Sequence, residues 1–257
     1  VSPKFFENKI LFSKNFGDTK PDSLFCIFSA TKAITSAASW LLMQKKVISE
    51  TDLVTDYIPE FGENGKAKTT LSHLLTHTAG FPHAPFKPIE WKSKEARLRR
   101  FEQWRSFWEP GTKFEYHPSS SMYVVAEIIE RASGQHFESF VKDHIVNPLQ
   151  LRNTFIGLPD EQSSRALPIR YCGVELSRQE YEEMGFPVPP ETEVTEDAVL
   201  SFNERDVQAS GIPGGGAFSN AEDMAIFYQA ILHGGTNQQR LWQDDMLANA
   251  KTIRNSN

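Results

Sequence analysis

The sequence predicts an α/β fold in which a mainly helical region interrupts a sheet-bearing part, and three observations predict it. A strand-like run, Lys9-Ile10-Leu11-Phe12-Ser13-Lys14, precedes a helix from Ser29 to Met43 that is small and apolar nearly all round. Between 65 and 204 the readable segments are mostly helical. From about 205 a glycine-rich stretch, Gly211-Ile212-Pro213-Gly214-Gly215-Gly216-Ala217-Phe218, suits a strand-edge turn or a close backbone approach, and a capped helix follows it. The expected division is 1–64 with 205–257 for the sheet part and 65–204 for the helical part, together one domain.

In order, the first run leads to a Gly17-Asp18 turn, and the Ser29 helix ends by Lys46. Asp52 to Ile58 reads as a helical turn stopped by Pro59. Thr69-Thr70 caps a helix from Leu71 to His77, closed by Gly80. Arg97 to Trp108 reads as an amphipathic helix ended by Glu109-Pro110-Gly111. Phe114 to Pro118 is a loop, because a residue before proline is pushed extended. Ser119 or Ser120 caps Met122 to Ala132, Ser133-Gly134 ends it, and Phe137 to Ile145 is a further helix stopped at Asn147-Pro148. Residues 157–200 read as a surface excursion with one helix near Arg178 to Met184. Ser219-Asn220 caps the helix Ala221 to Leu232, with Glu222 and Asp223 in its first turn.

A length of 257 residues can bury a full core, and 39% hydrophobic with 23% charged residues is a globular balance rather than a disordered one. The 27 basic and 33 acidic residues are mixed along the chain, so no clustered basic face points to nucleic acid. No apolar stretch approaches the ~20 residues a membrane-spanning helix needs. Cys26 and Cys172 make no disulfide framework, and Cys26 reads as a small hydrophobe. Val1 follows no methionine or signal peptide and no closing element follows Lys251, the pattern of a processed or trimmed chain, so no compartment is assigned.

The chemistry centres on Ser29 and Lys32. One helical turn apart, they share a face, so hydroxyl and amine can meet at the front of a buried helix. There the helix dipole and free N–H groups can stabilise an oxyanion, and a desolvated lysine can act as the base for a serine nucleophile. A core helix with a snorkelling lysine is the alternative. Tyr116, in a loop just before a helix, can relay a proton if cations hold it as a phenolate; an ordinary packed aromatic is its alternative.

Phe25 to Lys32 with its helix, then Leu71-Ser72-His73-Leu74-Leu75-Thr76-His77-Thr78-Ala79-Gly80-Phe81-Pro82, then Pro110-Gly111-Thr112-Lys113-Phe114-Glu115-Tyr116, the Tyr123-to-Gly134 helix and Gly214 to Phe227 follow one another in order. Together, over roughly residues 9–235, they resemble the serine β-lactamase-like superfamily of penicillin-recognising enzymes. The nearest branch is that of class C β-lactamases, family VIII carboxylesterases and related peptidases. The resemblance implies an antiparallel sheet flanked by helices, β-lactamase/transpeptidase-like. It also implies a serine that is acylated, a lysine and a tyrosine that share the acid–base work, and the serine's own N–H as half of an oxyanion hole. Those roles fall on Ser29, Lys32 and Tyr116. The implied substrate is a small-molecule ester, amide or β-lactam, with carboxylesterase favoured, D-amino-acid peptidase or transacylase next and β-lactamase third. No metal or organic cofactor is implied.

The chain departs from that pattern twice. Class C β-lactamases have Tyr-Ser-Asn where Tyr116-His117-Pro118 stands, and proline cannot supply the amide hydrogen bonds that asparagine gives a β-lactam side chain. His117 is expected to bind substrate. The third motif, Lys-Thr-Gly or a His/Trp-x-Gly variant, is not evident and is expected beyond Asn257; His233-Gly234-Gly235 reads as a glycine C-cap. A catalytically silent penicillin-binding-like module is therefore a rival expectation. Another is a zinc site at His73, His77 and His83, whose spacing is that of a metzincin, although Leu74 stands where the chemistry needs a glutamate. Phe81, Phe86, Trp91, Phe101, Trp104, Phe107 and Trp108 read as a packed helical core, with lining of a substrate pocket as the alternative.

Overall fold

A computed structural model describes residues 10–173, 176–185, 195–236 and 239–255. Strand β1 (Phe25–Cys26) passes through a 3₁₀ turn at Phe28–Ala30 into helix α1 (Thr31–Gln44). Short helices α2 (Val54–Tyr57) and α3 (Leu71–Leu75) follow. Next come α4 (Lys94–Gln103), α5 (Ser120–Ser133) and α6 (Phe137–Val141), the last continuing as a π turn over Lys142–Val146. Strand β2 (Phe155–Ile156) precedes α7 (Arg178–Glu183), α8 (Glu196–Leu200) and α9 (Arg205–Ala209). Strand β3 (Ala217–Ser219), α10 (Ala221–His233) and α11 (Asp244–Ala250) complete the order.

The helix that carries Ser29's neighbours is the centre of the core. Ile34, Ala37, Ala38, Leu41 and Leu42 of α1 are buried, and the alanines let α5 come close with Tyr123, Val124, Val125, Ile128 and Ile129. Trp242, wholly buried, donates its indole N–H to the Ala37 carbonyl at 3.0 Å and ties the last part of the chain to α1. The sheet is antiparallel, in the order β1-β3-β2, with Cys26 and Phe155 both opposite Phe218. Leu24, Leu158 and Phe218 bury one small cluster against it. The fold is therefore α/β: mainly helical, with a small antiparallel sheet.

Several local expectations are corrected. Ile10 to Lys14 forms no strand: Leu11 and Phe12 are 89% and 81% exposed, and no described strand lies beside them to complete a ladder (Lys9 lies outside the described residues). The helix begun at Thr70 stops at Leu75, because His77 turns into the left-handed region at φ 58°. Helix α4 starts three residues earlier than expected, at Lys94, and ends at Gln103. There Trp104 goes extended and places its indole in the core, donating to the Pro85 carbonyl at 3.0 Å. Within residues 157–200 a second helix, α8, joins α7, and β2 just ahead of that stretch is two residues long, too short for any period to reveal. The aromatic segment is packed core for Phe81, Trp91, Phe101 and Trp104, whereas Phe107 is 66% exposed.

Trp242→Ala should cost about 3–5 kcal/mol in urea unfolding, the usual cost of emptying a large aromatic site. Phe12→Ser, at an exposed position, should change stability by less than about 0.5 kcal/mol.

Candidate active site

Ser29 sits in the 3₁₀ turn ahead of α1 and is exposed. The residue before it, Phe28, is held at φ 42°, a conformation that costs an aromatic residue about 1–3 kcal/mol and persists only where its surroundings over-determine it. Those surroundings are the Phe202 ring, 5.3 Å from that of Phe28, and the stitching of the residues on either side to the glycine-rich segment. Ile27 N–H donates to the Ala217 carbonyl at 2.9 Å, Ala217 N–H to the Thr31 hydroxyl at 3.1 Å, and the Thr35 hydroxyl to the Pro213 carbonyl at 2.6 Å.

Lys32 lies one turn beyond Ser29 and only 8% of it is exposed. Its Nζ meets three oxygens: Ser29 Oγ at 3.1 Å, the Pro118 carbonyl at 2.6 Å and the Gly214 carbonyl at 2.7 Å. Among the described residues no carboxylate forms an ion pair with it. Burial therefore dominates and pulls the lysine below its ordinary pKa, against the opposing pull of Tyr116. A neutral amine fits this cage well: two N–H bonds serve the two carbonyls and the lone pair is left facing Ser29. Gly214 matters sterically, since a Cβ there would stand 3.2 Å from Ser119 Cα and push the segment off the start of α5.

Tyr116 closes the group from the other side, its hydroxyl donating to Ser29 Oγ at 2.8 Å. Burial raises its pKa, but hydrogen bonding to Ser29 and Lys32 and the lysine's charge outweigh burial and leave it below the ordinary tyrosine value. The structure thus brings Ser29, Lys32 and Tyr116 into one hydrogen-bonded set through which a proton can pass.

His117 is placed elsewhere. It is wholly buried; its Nε2 accepts from Phe81 N–H at 3.1 Å and its Nδ1 lies 2.6 Å from the Glu115 carbonyl. Both ring nitrogens are engaged in holding the loop, and the side chain stands apart from the hydrogen-bonded set around Ser29 Oγ. The three histidines of the zinc reading are not brought together either. His73 Nδ1 accepts from Thr70 N–H at 3.2 Å, His77 Nδ1 from His117 N–H at 3.1 Å, and His83 Nε2 meets Glu115 at 2.9 Å. Among the described residues no group of three metal-ligating side chains could hold an ion. His233-Gly234-Gly235 ends α10, with Gly234 as a left-handed C-cap at φ 88°.

What sequence reading missed is the scaffold. Residues 77–81 form the spine on which the Tyr116 loop is strung: Glu115 N–H donates to the His77 carbonyl, Gly111 N–H to Thr78, and Phe107 N–H to Gly80. These residues belong to the Leu71-to-Pro82 motif, but only their neighbours in space reveal this use.

Residues 7–255 match the family model described as Beta-lactamase. The chain belongs to the beta-lactamase family. A beta-lactamase of Yersinia enterocolitica is 28% identical to this family member over 163 residues, 63% of this chain and 41% of the relative. A solved family VIII carboxylesterase is 26% identical, with a TM-score of 0.72 over 89% of this chain and 61% of its own. A solved penicillin-binding protein homolog from Caulobacter crescentus has a TM-score of 0.73 over 91% of this chain and 62% of its own, at 24% identity, and supports the fold alone. This member of the family thus spans less than two thirds of the length of each.

His77 and His117 are both pushed down to about 4, chiefly by burial. Unfolded histidine takes up its proton near 6.5, so between about 6.5 and 4 the unfolded chain binds more protons and stability falls as pH falls. For His117 alone the linked loss approaches about 3 kcal/mol. Ring-proton NMR should show His117 still neutral at pH 5; a midpoint near 6.5 would contradict its burial.

Proposed function

We propose that this chain belongs to a serine hydrolase that works through an acyl-enzyme on a small-molecule ester, a carboxylesterase. The observation that carries the reading is the pair of contacts on the exposed Ser29 Oγ, from Tyr116 at 2.8 Å and Lys32 at 3.1 Å. In this scheme Ser29 Oγ attacks the carbonyl carbon as its proton passes to the neutral Lys32–Tyr116 pair. The same pair protonates the departing alcohol when the tetrahedral intermediate collapses, and water then releases the acyl group by the reverse path. The N–H of Ser29, at the front of α1, is one donor to the oxyanion.

Two points favour an ester over a β-lactam. Position 118 offers a proline, with no side-chain amide to grip a β-lactam's acylamino group, and its carbonyl is already used on Lys32. A family VIII carboxylesterase is among the structural relatives, at 26% identity. D-amino-acid peptidase or transacylase activity and β-lactamase activity are the alternatives within the family.

Steady-state assays on p-nitrophenyl esters, nitrocefin and a D-Ala-D-Ala peptide separate these. The expected outcome is ester turnover well above the other two, abolished in Ser29→Ala and reduced about 10²–10⁴-fold in Lys32→Ala and in Tyr116→Phe. Nitrocefin cleaved faster than any ester would overturn the ester reading, and no turnover by folded protein would favour the silent module. Because the base must be unprotonated, the acylation rate should climb with pH to a plateau reached below the ordinary lysine value, following the lowered Lys32 pKa.

A further inference from the structure

We propose that His77 is a positioning residue for Tyr116, holding the peptide on both sides of the tyrosine while its ring supports the phenol; this rests on Tyr116 being the proton carrier of the proposed reaction. The His77 carbonyl accepts from Glu115 N–H at 3.1 Å, and its ring Nδ1 accepts from His117 N–H at 3.1 Å. Glu115 and His117 are the immediate neighbours of Tyr116, so one residue fixes the backbone just before and just after it. The imidazole also lies against the phenol ring, with centroids 4.8 Å apart. A tyrosine hydroxyl is far from its backbone, so a small tilt of the peptide is magnified at the atom that must meet Ser29. Removing that tilt is what the three contacts accomplish.

The backbone of His77 shows why this residue type stands there. At φ 58° it occupies the left-handed region, where histidine and asparagine are several-fold enriched among residues with side chains. That conformation turns carbonyl and ring toward the same loop. The ring acts as an acceptor only while Nδ1 is unprotonated, and its surroundings keep it so. Lys32 approaches from α1, Tyr116, His117 and Phe114 from the loop, and the Glu115 carboxylate is turned away to Lys113 and His83. Burial is the main influence that holds the ring neutral.

His77→Gly removes the ring and the acceptor yet is at ease at positive φ, and His77→Asn returns a side-chain oxygen acceptor at a position asparagine tolerates. The primary readout needs no turnover: the Tyr116 ionisation, taken as the phenolate absorbance difference between each protein and its Tyr116→Phe counterpart. In wild type it should titrate below the ordinary tyrosine value of about 10; His77→Gly should return it to about 10, and His77→Asn should restore most of the shift. Labelling of Ser29 by a fluorophosphonate should slow by about 10²-fold in His77→Gly, the cost of a misplacement near 1 Å, and less than about threefold when Tyr116→Phe is already present. An unmoved Tyr116 ionisation, or an equal slowing with and without the tyrosine hydroxyl, would overturn the inference. Should the glycine variant not fold, His77→Asn decides, since a tenfold or greater loss in it also overturns the acceptor's role. If Tyr116→Phe itself labels at the wild-type rate, the catalytic reading of Tyr116 fails while the titration still judges the positioning.

Discussion

The site depends on the burial of one amine among three oxygens. An ammonium withdrawn from water is costly, by several kcal/mol even after relaxation, unless its protons find partners. Lys32 finds them on three separate parts of the chain: Ser29 of its own helix end, Pro118 of the tyrosine loop and Gly214 of the segment before β3. No partner carries a charge, so the cage satisfies the nitrogen without pinning its proton. The same three contacts assemble the site, because each is made only if its segment is in place.

Assembly and chemistry are thus coupled through packing. The 213–217 segment can approach α1 because Thr31 and Thr35 offer hydroxyls and because Gly214 leaves room beside Ser119. The loop bearing Tyr116 can approach because residues 77–81 supply carbonyls along its length and His117 fills the space behind it. The histidines there are held neutral chiefly by burial, so Tyr116 is tuned by its hydrogen bonding to Ser29 and Lys32 rather than by a neighbouring imidazolium. Lysine, serine and tyrosine then share protons as one coupled unit, and their ionisations belong to the set rather than to any single residue.

Much of this was legible in the sequence. The buried helix after Ser29 shows in its unbroken small and apolar residues, and the caps at Thr70 and Asn220 and the stop at Gly134 are local chemistry that the structure repeats. The two-residue strands were not legible, since a period of two needs more residues than Phe155 and Ile156 provide. Ile10 to Lys14 shows the converse: a strand-like pattern is a statement about a partner, and no described strand pairs with it. Within the site, Ser29, Lys32 and Tyr116 carry a pattern of their own. His77 and His117 make their contacts through hydrogen bonds between distant segments, which neither the histidine spacing of residues 73–83 nor the Tyr116-His117-Pro118 motif reveals.

In the proposed reaction Ser29 is a nucleophile activated by Lys32 and Tyr116. Intact-mass spectrometry after incubation with a fluorophosphonate tests it most directly, because Oγ displaces fluoride and the phosphorus stays attached to the protein. One adduct is expected on wild type and none on Ser29→Ala, with both proteins folded. An adduct that survives in Ser29→Ala, or none on folded wild type, would contradict it.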